Sequence, residues 1–213
     1  LGYYRKAATM AQAADLPDQE AGAHSAIGWL YMETWQPERA LEEFKKVSQL
    51  DTISPQGEVL QAYALCRLQK PDEARRIIKK VRDNWQGRID SLQFISEEAS
   101  IEGCIALEGG DHQKALDQFL RARKAVNDTA IWRLGVADAL VGLGQYDRAL
   151  VELRQLRKEA EVSWPSADYL RGLYFEADAL VKLGRNNDAV EPLQRLMVFW
   201  GNPDWEVPWL NDA

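Results

Sequence analysis

Five alanines, Ala40, Ala74, Ala115, Ala149 and Ala189, recur along this chain at intervals of 34, 41, 34 and 40 residues. Four residues after each stands a large apolar side chain: Phe44, Ile78, Phe119, Leu153 and Leu193. Three further on comes a second apolar residue, Val47, Val81, Ala122, Leu156 or Leu196. Twelve before each alanine lies another small residue, Gly28, Ala62, Gly103, Ala137 or Ala177. An ordinary globular core has no reason to repeat four columns at such spacing. A stack of helix pairs does, because each unit packs only on its neighbours and presents the same face to each. The pattern therefore points to an all-α solenoid, and solenoids serve mainly as binding surfaces.

Apolar spacing is helical nearly throughout, with no period-2 strand pattern. It predicts helices over 21–34 and 37–50, 55–69 and 71–84, 91–109 and 111–126, 130–143 and 145–159, and 165–183 and 186–199. The corresponding repeats span 21–54, 55–88, 90–129, 130–163 and 164–200. Ahead of them, 1–20 reads as a partial repeat whose helix, 3–14, is the second of a pair; behind them, 201–213 reads as the start of a capping segment. The whole, 1–213, is expected to be one array, and its start at Leu1 rather than Met suggests a piece of a longer protein.

Pro37 and Pro71 open second helices, where a missing N–H costs nothing, and Ser54-Pro55 reads as a cap and first turn of the same kind. Gly110, Gly144 and Gly184 fall at the left-handed position that closes first helices, a place held by Trp35 and Gln69 in the first two pairs. The small residues are expected to let paired helices approach closely, Gly28 against Ala40 and Gly103 against Ala115. The two long intervals add six or seven residues, about two helical turns, which keeps the same face inward.

These columns resemble the tetratricopeptide repeat over residues 21–200. The best copies are Ile27-Gly28 with Tyr31, Ala40 and Phe44, and the run Gly144-Gln145-Tyr146-Asp147-Arg148-Ala149. The chain departs from the family where His24 replaces a tryptophan near the start of the first helix, and where the closing proline is displaced. The resemblance implies a right-handed α-solenoid, a superhelix of about five helix-turn-helix pairs with a stub helix before and a capping helix after. It also implies that the concave face, lined by first helices, binds a peptide or a partner domain. Residues from Phe199 to Trp205 resemble the tail that follows such repeats in some large bacterial regulators; read as packing alone, they begin a capping helix near Asp204.

Chemistry is sparse. The two histidines, His24 and His112, are far apart, and no HExxH, CxxC, phosphate loop or serine elbow is present. Gly109-Gly110-Asp111-His112 reads as a turn in which the glycine ends one helix and the aspartate caps the next. Glu42-Glu43 and Glu97-Glu98 are adjacent on helices and so point apart. Cys66 and Cys104 fit helix faces that pack small apolar residues, and read as structural thiols. The chain is therefore expected to be no enzyme and to hold no catalytic, metal or cofactor site. A net charge of −7 with mixed signs disfavours nucleic acid. No apolar run reaches the ~18 residues of a membrane span, so no insertion is expected of this fragment; the cytoplasm is favoured, with the periplasm as the alternative.

The expected peptide groove comprises Trp29, Met32, Tyr63, Arg67, Cys104, Asp138, Arg171, Tyr174 and Asp178. Glu33, Val59, Cys66, Glu97, Ser100, Glu108, Ile131, Leu134 and Lys182 share the same helix faces. Aromatic anchors among scattered charges suit an extended or helical peptide, and five acids against three bases favour an apolar or mildly basic one. Some tetratricopeptide domains hold chaperone tails with paired Lys and Asn; the matching places here carry Ser25, Trp29, Val59 and Tyr63, so that clamp is absent. The function expected is a non-catalytic interaction scaffold, a regulatory region of a larger bacterial protein. The alternative is a self-associating or spacer module, a homo-oligomer formed through the edge Tyr3, Tyr4, Ala7 and Met10.

Overall fold

The computed structural model of the chain describes residues 1–85, 91–126, 130–162 and 167–200, and every regular element among them is a helix. A first helix, α1 (Gly2–Ala13), precedes five pairs. These are α2 (Pro17–Glu33) with α3 (Pro37–Leu50), α4 (Gln56–Arg67) with α5 (Pro71–Trp85), and α6 (Ser91–Glu108) with α7 (His112–Val126). They continue with α8 (Ala130–Gly142) and α9 (Tyr146–Val162), then α10 (Ala167–Lys182) and α11 (Asn186–Trp200). The chain divides into two compact units, Leu1–Ile101 and Glu102–Ala213, with the boundary inside α6. The expected capping segment over 201–213 lies outside the described residues.

Among the described residues one turn recurs six times. Asp15, Trp35, Gln69, Gly110, Gly144 and Gly184 all have φ between +53° and +76°. In each, the N–H of the next residue reaches back to the carbonyl five positions earlier, from Leu16 to Ala11 through Arg185 to Leu180, at 2.8–3.0 Å. This motif satisfies carbonyls that the helix end leaves free. Glycine takes the conformation without strain, and the sequence marks the last three turns for that reason. The Asp15 turn carries no glycine, so no residue there marks that α1 and α2 join in the same way.

Most expected helix starts hold to within two residues, and two regions depart in a way that matters. α2 begins at Pro17, four residues ahead of expectation, with proline in its first turn beside Asp18 and Glu20. Ser54 is not the side-chain cap of α4, which has Pro55 at the N-cap and no side-chain cap bond. Instead Asp51 organises the loop, accepting from the Ile53 and Ser54 N–H groups at 3.1 Å each. Asp111 does cap as expected, accepting from Lys114 N at 3.1 Å.

Ala40, Ala74, Ala115 and Ala149 have no exposed surface, and Phe44, Ile78, Phe119 and Leu153 are all buried. What fits into the glycine notch, however, is the ring and not the alanine. A β-carbon on Gly28 would run into the Phe44 ring, and one on Gly103 would sit 3.0 Å from Phe119. Gly135 closes on Phe119 from the next pair, at 2.7 Å. An aromatic ring is thick enough that the opposing helix must surrender its β-carbon, whereas alanine needs no such gap.

First helices lie between two second helices: α2 packs on α1 and α3, α4 on α3 and α5, α8 on α7 and α9, and α10 on α9 and α11. They are accordingly buried almost all round, with Ala62 to Cys66 of α4 buried without a break. Second helices bury a single stripe, as α3 does with Ala40, Phe44 and Val47.

Candidate peptide-binding surface

In the first unit the first helices leave Trp29, Met32, Val59 and Arg67 half-buried, beside His24, Ser25 and Leu30. Trp29 meets Phe44 edge-on at 5.9 Å between centroids and Tyr63 at 6.0 Å. Tyr63 itself is 8% exposed; its hydroxyl donates to Glu97 Oε2 at 2.9 Å and also bonds Ser100 Oγ. It is a strut between α4 and α6, and its hydroxyl is committed there. Burial pushes the Glu97 carboxyl above the ordinary range, against the hydrogen bonds from Tyr63 and Gln93. Cys66 is buried, its thiol directed at the Ile101 carbonyl at 3.8 Å, and Ser100 has no exposed surface. Glu33 is buried too.

In the second unit Cys104, Glu108, Asp138, Arg171, Tyr174 and Asp178 are half-buried, Lys182 is exposed and Leu134 is buried; the side chain of Ile131 lies outside the described residues. Arg171 pairs with Asp138 of the neighbouring first helix at 3.7 Å and lies over the Phe175 ring at 5.6 Å. Tyr174 packs beside Phe175 at 5.7 Å. The expected residues are thus brought together as Trp29 with Tyr63 and as Asp138 with Arg171.

Sequence reasoning missed two features. Trp35 receives Arg67 over its ring at 5.1 Å, joining the α2 turn to the last residue of α4. The second is a pair of columns, sixteen before and three after the alanine, which hold His24 and Glu43 in the first pair and Arg133 and Glu152 in the fourth. His24 Nδ1 lies 2.5 Å from Glu43 Oε2, and Arg133 lies 3.2 Å from Glu152. Comparing columns of opposite charge would have revealed it. Glu43 loses solvation, but hydrogen bonds from Lys46 and His24 hold its carboxyl below the usual range. Glu152, similarly desolvated, is held low by Arg123, which binds it through two nitrogens at 2.7 and 3.1 Å, and by Arg133.

The carboxylate pairs point apart. Glu97 turns to Tyr63 and Glu98 to Arg82. His112 packs its ring against Gly142, with no hydrogen-bond partner for Nδ1. Among the described residues no three His, Cys, Asp or Glu side chains are grouped to hold a metal, and no helix is long and apolar enough to cross a membrane.

No protein-family model matches the chain, and no curated protein does. Solved structures do. PilW, described as a widely conserved type IV pilus biogenesis factor, aligns over 99% of this chain and 96% of its own, with TM-score 0.58 and 15% identity. A MamA crystal structure aligns over 82% and 95%, with TM-score 0.51 and 16% identity. MamA from residue 41 to its end, from Desulfovibrio magneticus RS-1, aligns over 87% and 97%, with TM-score 0.50 and 16% identity. The fold is that of a tetratricopeptide-repeat array. At such identities the likeness carries the fold alone, and the function has to be argued from the site.

Proposed function

We propose that this tetratricopeptide array is a non-catalytic protein-interaction module that binds a peptide or partner segment along the strip of its first helices. The observation that carries the reading is the contrast within those helices. They are buried on many sides, and the residues left half-accessible include Trp29, Met32, Arg67, Arg171 and Tyr174 among the carboxylates Glu108, Asp138 and Asp178. Trp, Tyr and Arg side chains of this kind make binding hot spots, and the interspersed charges give a ligand polar partners.

Capture from lysate of the source cell tests this, using the wild-type chain beside a Trp29→Ala/Tyr174→Ala variant with unchanged helicity. A partner retained by the wild type and lost by the folded variant supports the strip as the working surface. Equal capture by both rejects it. Tyr63 is left intact because its hydroxyl is structural.

Self-association is a second reading, supported by Tyr3 at 80% and Met10 at 62% exposure on α1. Sedimentation across concentrations decides it: a mass that stays monomeric rejects it.

A further inference from the structure

α1 meets the first pair with small residues where a later second helix uses large ones. Ala8 and Ala11 are buried three places apart on α1, as Phe119 and Ala122 are on α7. In that register Gln12 stands where α7 has Arg123. The Phe119 ring packs into the notch at Gly135 of the following pair, and Arg123 closes on Glu152 through two nitrogens. An alanine and a glutamine fill less space. Between α1, α2 and α3 lies a cavity of about 620 Å³, a volume typical of small-molecule sites.

Opposite charges line this cavity and do not all cancel. Glu43 is satisfied: Lys46 donates to its Oε1 at 2.8 Å, and His24 Nδ1 lies 2.5 Å from its Oε2. That carboxyl is held below its usual range, so it is ionised and accepts, and the His24 proton sits on Nδ1. In the neutral ring Nε2 then presents a lone pair, and it faces Glu20 Oε1 at 3.8 Å. Two acceptors do not bond each other, and 3.8 Å is in any case beyond hydrogen-bond reach. Both side chains are only 13% exposed. A primary ammonium between them would donate to both. Arg5 is the opposite case. Its Nη2 donates to the hydroxyl of the buried Tyr31 at 2.7 Å, which fixes the guanidinium, and among the described residues it forms no ion pair. The rest of the fork is open to a carboxylate.

We propose that this cavity binds a small zwitterion with an apolar body, its ammonium held between Glu20 and His24 and its carboxylate by Arg5. Lys46 and Glu43 neutralise one another, so a ligand of net charge would leave either Glu20 or Arg5 uncompensated. The apolar body lies on Ala8, Ile27 and Leu50, which also line the cavity. A free apolar amino acid and a short peptide with free termini share this chemistry. The site is separate from the first-helix surface around Trp29, which does not line it.

Isothermal titration with leucine and with the dipeptide Leu-Leu tests this, beside acetyl-Leu-Leu, which lacks the ammonium, and Leu-Leu-amide, which lacks the carboxylate. Leucine or Leu-Leu is expected to bind, the tighter of the two identifying the source that fits. Blocking either end, or substituting Glu20→Gln or Arg5→Gln, is expected to weaken binding about tenfold or more. Ala8→Phe, which supplies the ring that α7 has, should abolish it, and Trp29→Ala should leave it unchanged; each variant is first checked for wild-type helicity. No binding of leucine or Leu-Leu up to about 1 mM overturns the proposal. A blocked peptide that binds as tightly as the free one overturns it too, as does undiminished binding by Glu20→Gln or by Arg5→Gln. Binding lost in Trp29→Ala and kept in Glu20→Gln places the peptide on the first-helix surface, which overturns this site and supports the reading above.

Discussion

The two units are built from the same columns and differ in their turns and in the balance of contacts that join their helices. In the first, the turns at Asp15, Trp35 and Gln69 force side chains into left-handed backbone, and aromatic contacts among Trp29, Phe44 and Tyr63 stand beside the His24–Glu43 and Arg82–Glu98 pairs. In the second, Gly110, Gly144 and Gly184 make the turns, and arginine–carboxylate pairs tie successive helices together. Arg123 and Arg133 share Glu152, while Arg154 and Arg157 approach the buried Glu176. A repeat motif therefore specifies where helices meet, and leaves open what fastens them.

The largest effect expected is from removing the rings. Phe44→Ala and Phe119→Ala should each cost about 3–5 kcal/mol, and Phe119 the more, because two glycine notches, Gly103 and Gly135, surround the void it leaves. Denaturant titration of both variants measures this; a smaller loss at Phe119 would mean that the notches collapse. Next comes the column that defines the repeat. Ala149→Leu forces a branched side chain into a site with no exposed surface and should cost about 1–3 kcal/mol. An unchanged melting temperature would contradict the packing described.

Within the second unit, two carboxylates respond to pH in opposite ways. A carboxyl held below its ordinary value contributes stability that is present above that value and is lost as pH falls. Glu152→Gln should therefore cost about 1–2 kcal/mol near neutrality, with the gap to wild type closing below about pH 4. Glu176 has the opposite sign. Burial raises its carboxyl despite Arg157 and Arg154, so the wild type gains stability as this group protonates on acidification. Glu176→Gln should lie within about 1 kcal/mol of wild type at pH 7 and fall behind it nowhere on raising the pH to 8. Unfolding midpoints across pH 3 to about 8 read both signs in one experiment. The smallest effect is at the turns: Gly144→Gln should cost about 1 kcal/mol, and Gln69→Gly should recover somewhat less, because glycine also loosens the unfolded chain. Equal melting temperatures in the reciprocal pair would show that the left-handed strain is relieved elsewhere.

Much of this architecture could be read directly from residues. The alanine columns and Pro37, Pro71, Gly110, Gly144 and Gly184 state helix pairing and turn chemistry outright, because only small residues fit the first and only special backbones need the second. The start of α2 was harder, since Pro17 lies in a stretch without apolar periodicity. The site was legible only in part. Helical spacing puts Trp29 and Tyr63 on one face, but whether a tyrosine there is an anchor or a strut depends on Glu97 and Ser100, 34 and 37 residues away. Trp35 escaped notice for a related reason: its turn was visible, while its stacking on Arg67 requires the next helix to be in place.

The copies look interchangeable, yet the ring of Phe119 implies an order among them. It is gripped by Gly103 of its own pair and by Gly135 of the following one, so the fourth pair is cut to receive a phenylalanine from whatever precedes it. Excising the third pair alone would set Gly135 behind Ile78 and leave an unfilled gap. Excising the second and third together would bring Phe44, 75 residues before Phe119, into the vacated place. Shortened arrays of this protein should then tolerate the double deletion better than the single one, as comparison of their helicity and melting cooperativity would reveal.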